Sequence, residues 1–268
     1  MLKDITLGQY FPGKTIVHRL DPRTKLIMAL VYIVALFVAV RYCSYALVLA
    51  FLISVMSLSR ISPKRLLSGM KPLIVIIILT GLLNIFYTRG EHLIFQWRFI
   101  HIYREGLINA GYMIARIIML ISGTFLLTYT TSPIELTDGL ERLLSPLKRL
   151  HVPVHELSMM MCIALRFIPT LIEETDKIIA AQKARGADFE TGNIFRRAKA
   201  LVPILVPMFI SAFRRADDLA VAMECRCYHG GEGRTRMKIM KLKARDYVTF
   251  FIGALLLAGV IVLRQLGL

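Results

Sequence analysis

Residues 26–58 read LIMALVYIVALFVAVRYCSYALVLAFLISVMSL, an apolar run whose one charge is Arg41. As a single helix it would be about 50 Å long, far more than a hydrocarbon core of about 30 Å, and Arg41 would sit at its middle. A tight turn at RYCS (41–44) instead makes two spans of about 22–24 Å, Leu26–Val40 and Ser44–Leu58, a short hairpin that must recruit flanking residues or thin the bilayer. This reading puts the chain among polytopic membrane proteins.

The composition agrees. Hydrophobic residues make up 56% of the 268 and charged residues 19%, with a mean hydropathy of +0.60, too apolar for an ordinary soluble domain. Further low-charge runs at Leu73–Tyr87, Leu107–Tyr129 and Val248–Leu263 bring the spans to five. The expected fold is an all-α polytopic membrane protein with about five transmembrane helices and a cytoplasmic α-helical coupling domain bearing two long arms. In chain order these are a leader (1–25), helices one to four (26–129), the coupling domain (130–247) and a final helix (248–268). Polar residues precede the first apolar run, unlike a cleavable signal, and Cys43, Cys162, Cys225 and Cys227 form no disulfide framework.

The net charge of +16 is explained by topology. Of the 34 Lys and Arg, 28 fall in 1–25, 59–71 and 130–247, and five fall in the alternate segments. The positive-inside rule then predicts a multi-pass protein of a prokaryotic cell membrane with its N-terminus in the cytoplasm and its C-terminus outside. Nucleic-acid binding would need basic residues grouped with stacking aromatics on a soluble face; with the charge accounted for by topology, no nucleic-acid partner is expected.

The leader GQYFPGKTIVHRLDPRTKL carries Gly8, Gly13, Lys14 and Thr15 at the spacing of a phosphate-cradling loop. The context fails: MLKDITL is a poor strand, and Pro22 ends any helix begun behind Thr15. The expected structure is a set of turns, with Asp21 capping a helix that begins at Pro22.

Residues 130–247 open with TTSPIEL, where Ser132 as N-cap, Pro133 and Glu135 mark a helix start; the helix should reach about Leu150 and break at HVPV. Two longer helices follow, roughly His155–Arg185 and Phe195–Arg226. Their ends align: TDKIIAAQKARG (175–186) over ADDLAVAMECRC (216–227) sets Asp176 on Asp217 and Arg185 on Arg226. Both have upstream prolines, Pro169 in one and Pro203 with Pro207 in the other, expected to kink or interrupt them. An arginine near a helix C-terminus is by itself a dipole cap, and Gly186 a natural residue to follow it. The pairing is what suggests docking, because small neighbours let each planar guanidinium enter a groove and meet carboxylates or carbonyls. Cys225, Cys227 and His229 lack a fourth ligand, so no metal site is expected. HGGEGRT (229–235) reads as a linker and RTRMKIMKLKAR (234–245) as a segment lying on anionic lipid headgroups. Arg116, inside the fourth span, is expected at a helix interface.

The leader, the arms ending in ARG and CRC, and the segment between the last two spans resemble the transmembrane coupling subunit, or T component, of energy-coupling factor transporters. These are ABC-type importers of micronutrients. The resemblance covers essentially the whole chain, with cysteines where the second motif often has Ala and Gly. It implies that Ala184, Arg185, Gly186, Cys225, Arg226 and Cys227 dock on two ATPase subunits, supported by Asp176, Asp217 and Glu224. It implies no cofactor and no catalysis in this chain, with ATP and Mg held by the partners. A separate substrate-binding membrane subunit would rest on the apolar early halves of the arms, LSMMMCIALRFIP and LVPILVPMFISAF, through Met159, Met160, Leu165, Leu205 and Met208. The function implied is transmission of ATP-driven motion for vitamin uptake. The alternatives are a cobalt or nickel importer of the same family and an unrelated polytopic transporter.

Overall fold

The computed structural model describes residues 10–88, 92–97, 100–189, 193–230 and 240–267. Gly8 and most of the basic run 234–245 lie outside them. The chain divides into two units, Gly8–Gly139 with Met240–Leu268, and Leu140–Ile239.

In the first unit, α1 (Pro22–Val38) begins as its residues require: the Asp21 carboxylate accepts the Arg23 backbone N–H at 3.0 Å and Pro22 takes the first position. It stops before Arg41, and α2 (Tyr42–Ser59) turns back at once, so the hairpin at 41–44 stands. The third span is longer than its apolar run. Short helix α3 (Pro63–Met70), a 3-10 turn at Lys71–Leu73 and α4 (Ile74–Tyr87) form one rod of 25 residues. Pro72 does not end the rod, because it sits at the start of the 3-10 turn, where its missing N–H costs little. An antiparallel hairpin, β1 (Leu93–Trp97) and β2 (Ile100–Tyr103), joins α4 to α5 (Arg104–Thr130), and the unit closes with α9 (Ala244–Gln265).

Among the described residues, five helices are long and apolar enough to cross a membrane: α2, the α3–α4 rod, α5, α7 (Val154–Ala184) and α9. The count matches the sequence reading but its membership differs. Helix α1, with 17 residues and about 26 Å, is shorter than the others. Helix α7, expected as an arm, joins the set because its first half is rich in Met, Leu and Ile.

Contacts along α1 set the order of the bundle. It runs antiparallel to α5: Lys25 Nζ donates to the Thr130 carbonyl at 2.8 Å, Tyr32 OH to Met119 at 2.9 Å, and Arg116 Nη2 to Ala39 at 3.0 Å. It runs parallel to α9, where a Cβ on Gly253 would come within 2.5 Å of Met28 Sδ, so a larger residue there would make the Met28 thioether move. Ala35, Leu36, Val48 and Val260 are fully buried in the resulting core, with Tyr32, Leu126, Tyr129 and Leu256 around them. Arg116 takes the helix-interface role expected of it, satisfying the end of α1 while lying over the rings of Phe37 and Tyr45.

One consequence is that the leader, the start of α3, the end of α5 and the start of α9 share one end of the bundle. Phe11 N–H donates to the Tyr129 carbonyl at 3.0 Å, Arg65 lies over the Phe11 ring, and Gly69 faces Tyr129. A buried polar cluster fastens this end. Asp246 Oδ1 accepts the Asp21 N–H at 3.0 Å and its Oδ2 the Lys243 N–H at 2.8 Å. Arg23 bridges the Asp21 carboxylate to the Met240 carbonyl, and Lys25 also donates to the His18 carbonyl at 3.1 Å. In the leader, Thr15 Oγ1 lies 2.6 Å from His18 Nδ1, and α1 begins only at Pro22, so no helix opens behind Lys14 and Thr15. Burial, the larger influence, holds the His18 imidazole below its ordinary range, against the bond to the Phe11 carbonyl.

Helix α6 (Pro133–Leu144) starts with the expected cap, the Glu135 N–H donating to Ser132 Oγ at 3.3 Å. It ends sooner than expected. Ser145–Leu150 tighten into a 3-10 turn around Pro146, and His151 takes a left-handed conformation, φ 60°. The second unit then consists mainly of α7 and α8 (Ile194–Glu224). Pro169, Pro203 and Pro207 all lie inside these helices without interrupting them.

Candidate docking site on the two arms

The two arms end in the same backbone turn. At the end of α7, Gly186 N–H donates to Lys183 O at 3.0 Å and Ala187 N–H to Gln182 O at 3.0 Å, with Gly186 left-handed at φ +83°. At the end of α8, Cys227 N–H donates to Glu224 O at 2.8 Å and Tyr228 N–H to Met223 O at 3.0 Å, with Cys227 at φ 55°. Each is a Schellman turn, and each places its arginine immediately before the left-handed residue. The sequence match of Arg185 with Arg226 is therefore a match of position in a defined turn.

The difference lies in the next residue. Gly186 adopts φ > 0 freely, whereas Cys227 has a Cβ and is strained by about 1–2 kcal/mol. Ala184, Arg185, Gly186, Cys225, Arg226 and Cys227 are all exposed. Among the described residues neither guanidinium makes a hydrogen bond or ion pair. Asp217 and Glu224 are exposed and Asp176 is half-buried; among the described residues none of the three pairs with either arginine.

What holds the arms together is a polar crossing that the sequence did not reveal. Glu174 accepts from Arg215 Nη2 at 2.9 Å and from Ser211 Oγ, Arg215 lies over the Phe167 ring, and Thr175 Oγ1 donates to Met208 Sδ at 3.2 Å. Residue numbers rise along α7 as they fall along α8 through these contacts, so the helices cross antiparallel. From the crossing, Arg185 lies about 16 Å along α7 and Arg226 about 22 Å along α8, in opposite directions. The two turns are therefore separate contact points rather than one composite site.

The apolar positions sort less evenly. Leu205 and Met160 are exposed, at 47% and 54%, while Met159, Leu165 and Met208 are half-buried. Met208 faces α7 in the crossing. The most exposed large side chains in LVPILVPMFISAF are Phe209 and Phe213, at 61% and 67%. With Val202 and Val206 they form one face at helical spacing, which the stretch itself indicated but the choice of single residues missed.

The family described as Cobalt transport protein matches residues 13–238. An energy-coupling factor transporter transmembrane protein EcfT from Clostridium kluyveri is 55% identical over 249 residues, covering 92% of each chain. The one from Thermosediminibacter oceani is 54% identical over 263 residues, covering 98% of this chain and 99% of its own. That of Bacillus subtilis is 51% identical over 246 residues, covering 92% and 93%. With a family match across most of its length and relatives half-identical nearly end to end, this multi-pass membrane chain belongs to the EcfT family, the transmembrane T components of energy-coupling factor transporters.

Proposed function

We propose that this chain is the scaffold and coupling subunit of an ATP-driven importer, transmitting the motion of two ATPase subunits to a separate substrate-binding membrane subunit for vitamin uptake. The carrying observation is that both arms end in the same Schellman turn, each presenting an exposed, unbonded arginine among the described residues. A guanidinium held at the tip of a long helix, with small neighbours, suits a groove lined by carboxylates or carbonyls. ATPase closure would move the two tips, and the rigid crossing at Glu174 and Arg215 would carry that movement to the apolar face around Leu205, Phe209 and Phe213. Nucleotide and Mg belong to the partners in this reading, and the chain performs no catalysis of its own.

The orientation proposed places the basic end of the bundle, with the leader and the arms, in the cytoplasm and the C-terminus outside. What supports it is that basic residues of the leader, the start of α3 and the start of α9 lie at one end of the bundle. A cobalt or nickel importer is the second reading, favoured by the description of the matching family. Purification of the intact complex in detergent, with its chains identified by mass spectrometry, tests the proposal. It should yield this chain with two nucleotide-binding proteins and a small membrane protein. Recovery of this chain alone from membranes that contain all of them would refute it.

A further inference from the structure

Between α6 and α7 lies a surface that the coupling reading does not use. In a 3-10 helix, side chains three apart eclipse one another, so the turn Ser145–Leu150 continues a column begun by the last residue of α6: Leu144, Leu147 and Leu150. All three are exposed, at 37%, 37% and 75%. The same periodicity puts Lys148 on one side of the column and Arg149 on the other, both exposed. The sequence has no acid between Glu141 and Glu156, and Glu141 is buried, bonded at 3.0 Å to His155 Nδ1. An apolar ridge thus runs between two cations, with no carboxylate in its own stretch of chain.

Its place on the chain fits a bilayer surface. Helix α6 passes so close to the start of α1 that a Cβ on Gly139 would lie 2.9 Å from Pro22 Cβ. Leu144 follows five residues later on the same helix, about 8 Å along it. The ridge therefore begins within about two turns, along one helix, of a residue packed on Pro22 at the polar start of α1. Leucines sink below headgroups while lysine and arginine extend to phosphates, the arrangement that interfacial segments use.

We propose that Leu144, Leu147 and Leu150, flanked by Lys148 and Arg149, form an interfacial anchor that inserts into a leaflet containing anionic lipid and pins the root of the arms to the membrane. The anchor requires only the membrane location of the chain, so it stands or falls independently of ATPase docking.

The test uses the full chain with Trp97→Phe, reconstituted in phosphatidylcholine vesicles with or without phosphatidylglycerol, and Leu150→Trp as reporter. With lipids brominated high on the acyl chain, the introduced indole should be quenched at least about two-fold, more strongly when phosphatidylglycerol is present. Lys148→Glu with Arg149→Glu should remove the phosphatidylglycerol dependence. If Leu150→Trp fails to insert, Leu147→Trp reports on the same column. An indole quenched by aqueous iodide and untouched by brominated lipid would overturn the anchor. So would quenching that ignores phosphatidylglycerol, or an indole shielded only when co-purified protein partners are bound, which would make the ridge a protein-docking face.

Discussion

Replacing Asp246 tests whether the leader is fastened to the bundle as described. Its carboxylate is 2% exposed and accepts two backbone N–H groups, those of Asp21 and Lys243, which belong to different parts of the chain. Lys25, 6% exposed, sits in the same cluster. Hydrogen bonds to a charged group contribute about 1.5–3 kcal/mol each, and Asp246→Ala removes both while leaving the donors buried and unpaired. The lost desolvation cost of the carboxylate offsets part of this, for a net destabilisation of about 3–4 kcal/mol. Asp246→Asn keeps one good acceptor and should cost about half as much. Equilibrium unfolding of the purified chain in mixed micelles, titrated with a denaturing detergent, gives both values. If Asp246→Ala costs less than about 1 kcal/mol, or Asn proves as damaging as Ala, the carboxylate is not the clamp the geometry implies.

Other residues allow equally direct checks. Glu174→Gln should weaken the crossing of α7 and α8 by about 1 kcal/mol, since both partners are partly exposed, and should lower transport per ATP hydrolysed more than it lowers ATPase association; equal loss of both would place Glu174 in docking instead. Arg116→Leu should destabilise the bundle by about 2 kcal/mol by leaving the Ala39 carbonyl unpaired, with Lys recovering only part, as read by thermal unfolding in detergent. Cys227→Gly should stabilise the end of α8 by about 1 kcal/mol by relieving its left-handed strain, seen as slower amide exchange at Cys227 and Tyr228.

Local chemistry made much of this structure legible in the sequence. Asp21 and Ser132 announced the starts of α1 and α6 because a cap depends on residues two or three positions apart, and the turn at Arg41 followed from length and charge alone. The two arms ran almost to the predicted bounds. What stayed hidden depends on distant partners. Nothing near Glu174 in sequence names Arg215, forty-one positions on, as its partner, and Lys25 gives no local sign that it will reach Thr130. The hairpin of β1 and β2, too short to show a clear period, was also missed. The prolines of the arms misled because propensity penalises them inside helices, whereas long, packed helices tolerate them. At the candidate site, the alignment found both arginines, but the shared turn and its strain at Cys227 needed backbone geometry.

The central claim is that Arg185 and Arg226 are docking groups and not simply helix caps. A desolvated arginine paired in an interface costs about 2–5 kcal/mol when removed, whereas an exposed cap is worth less than about 1 kcal/mol. The most direct measurement is the amount of ATPase that co-purifies with this chain carrying Arg185→Ala, Arg226→Ala, or both, with uptake measured in the same cells. Each single substitution should weaken association by at least about 30-fold in affinity, and the double should abolish association and uptake while the chain still inserts. Should the doubly substituted chain retain its ATPases and its uptake, the arginines only cap their helices and the coupling role assigned to the arms is wrong.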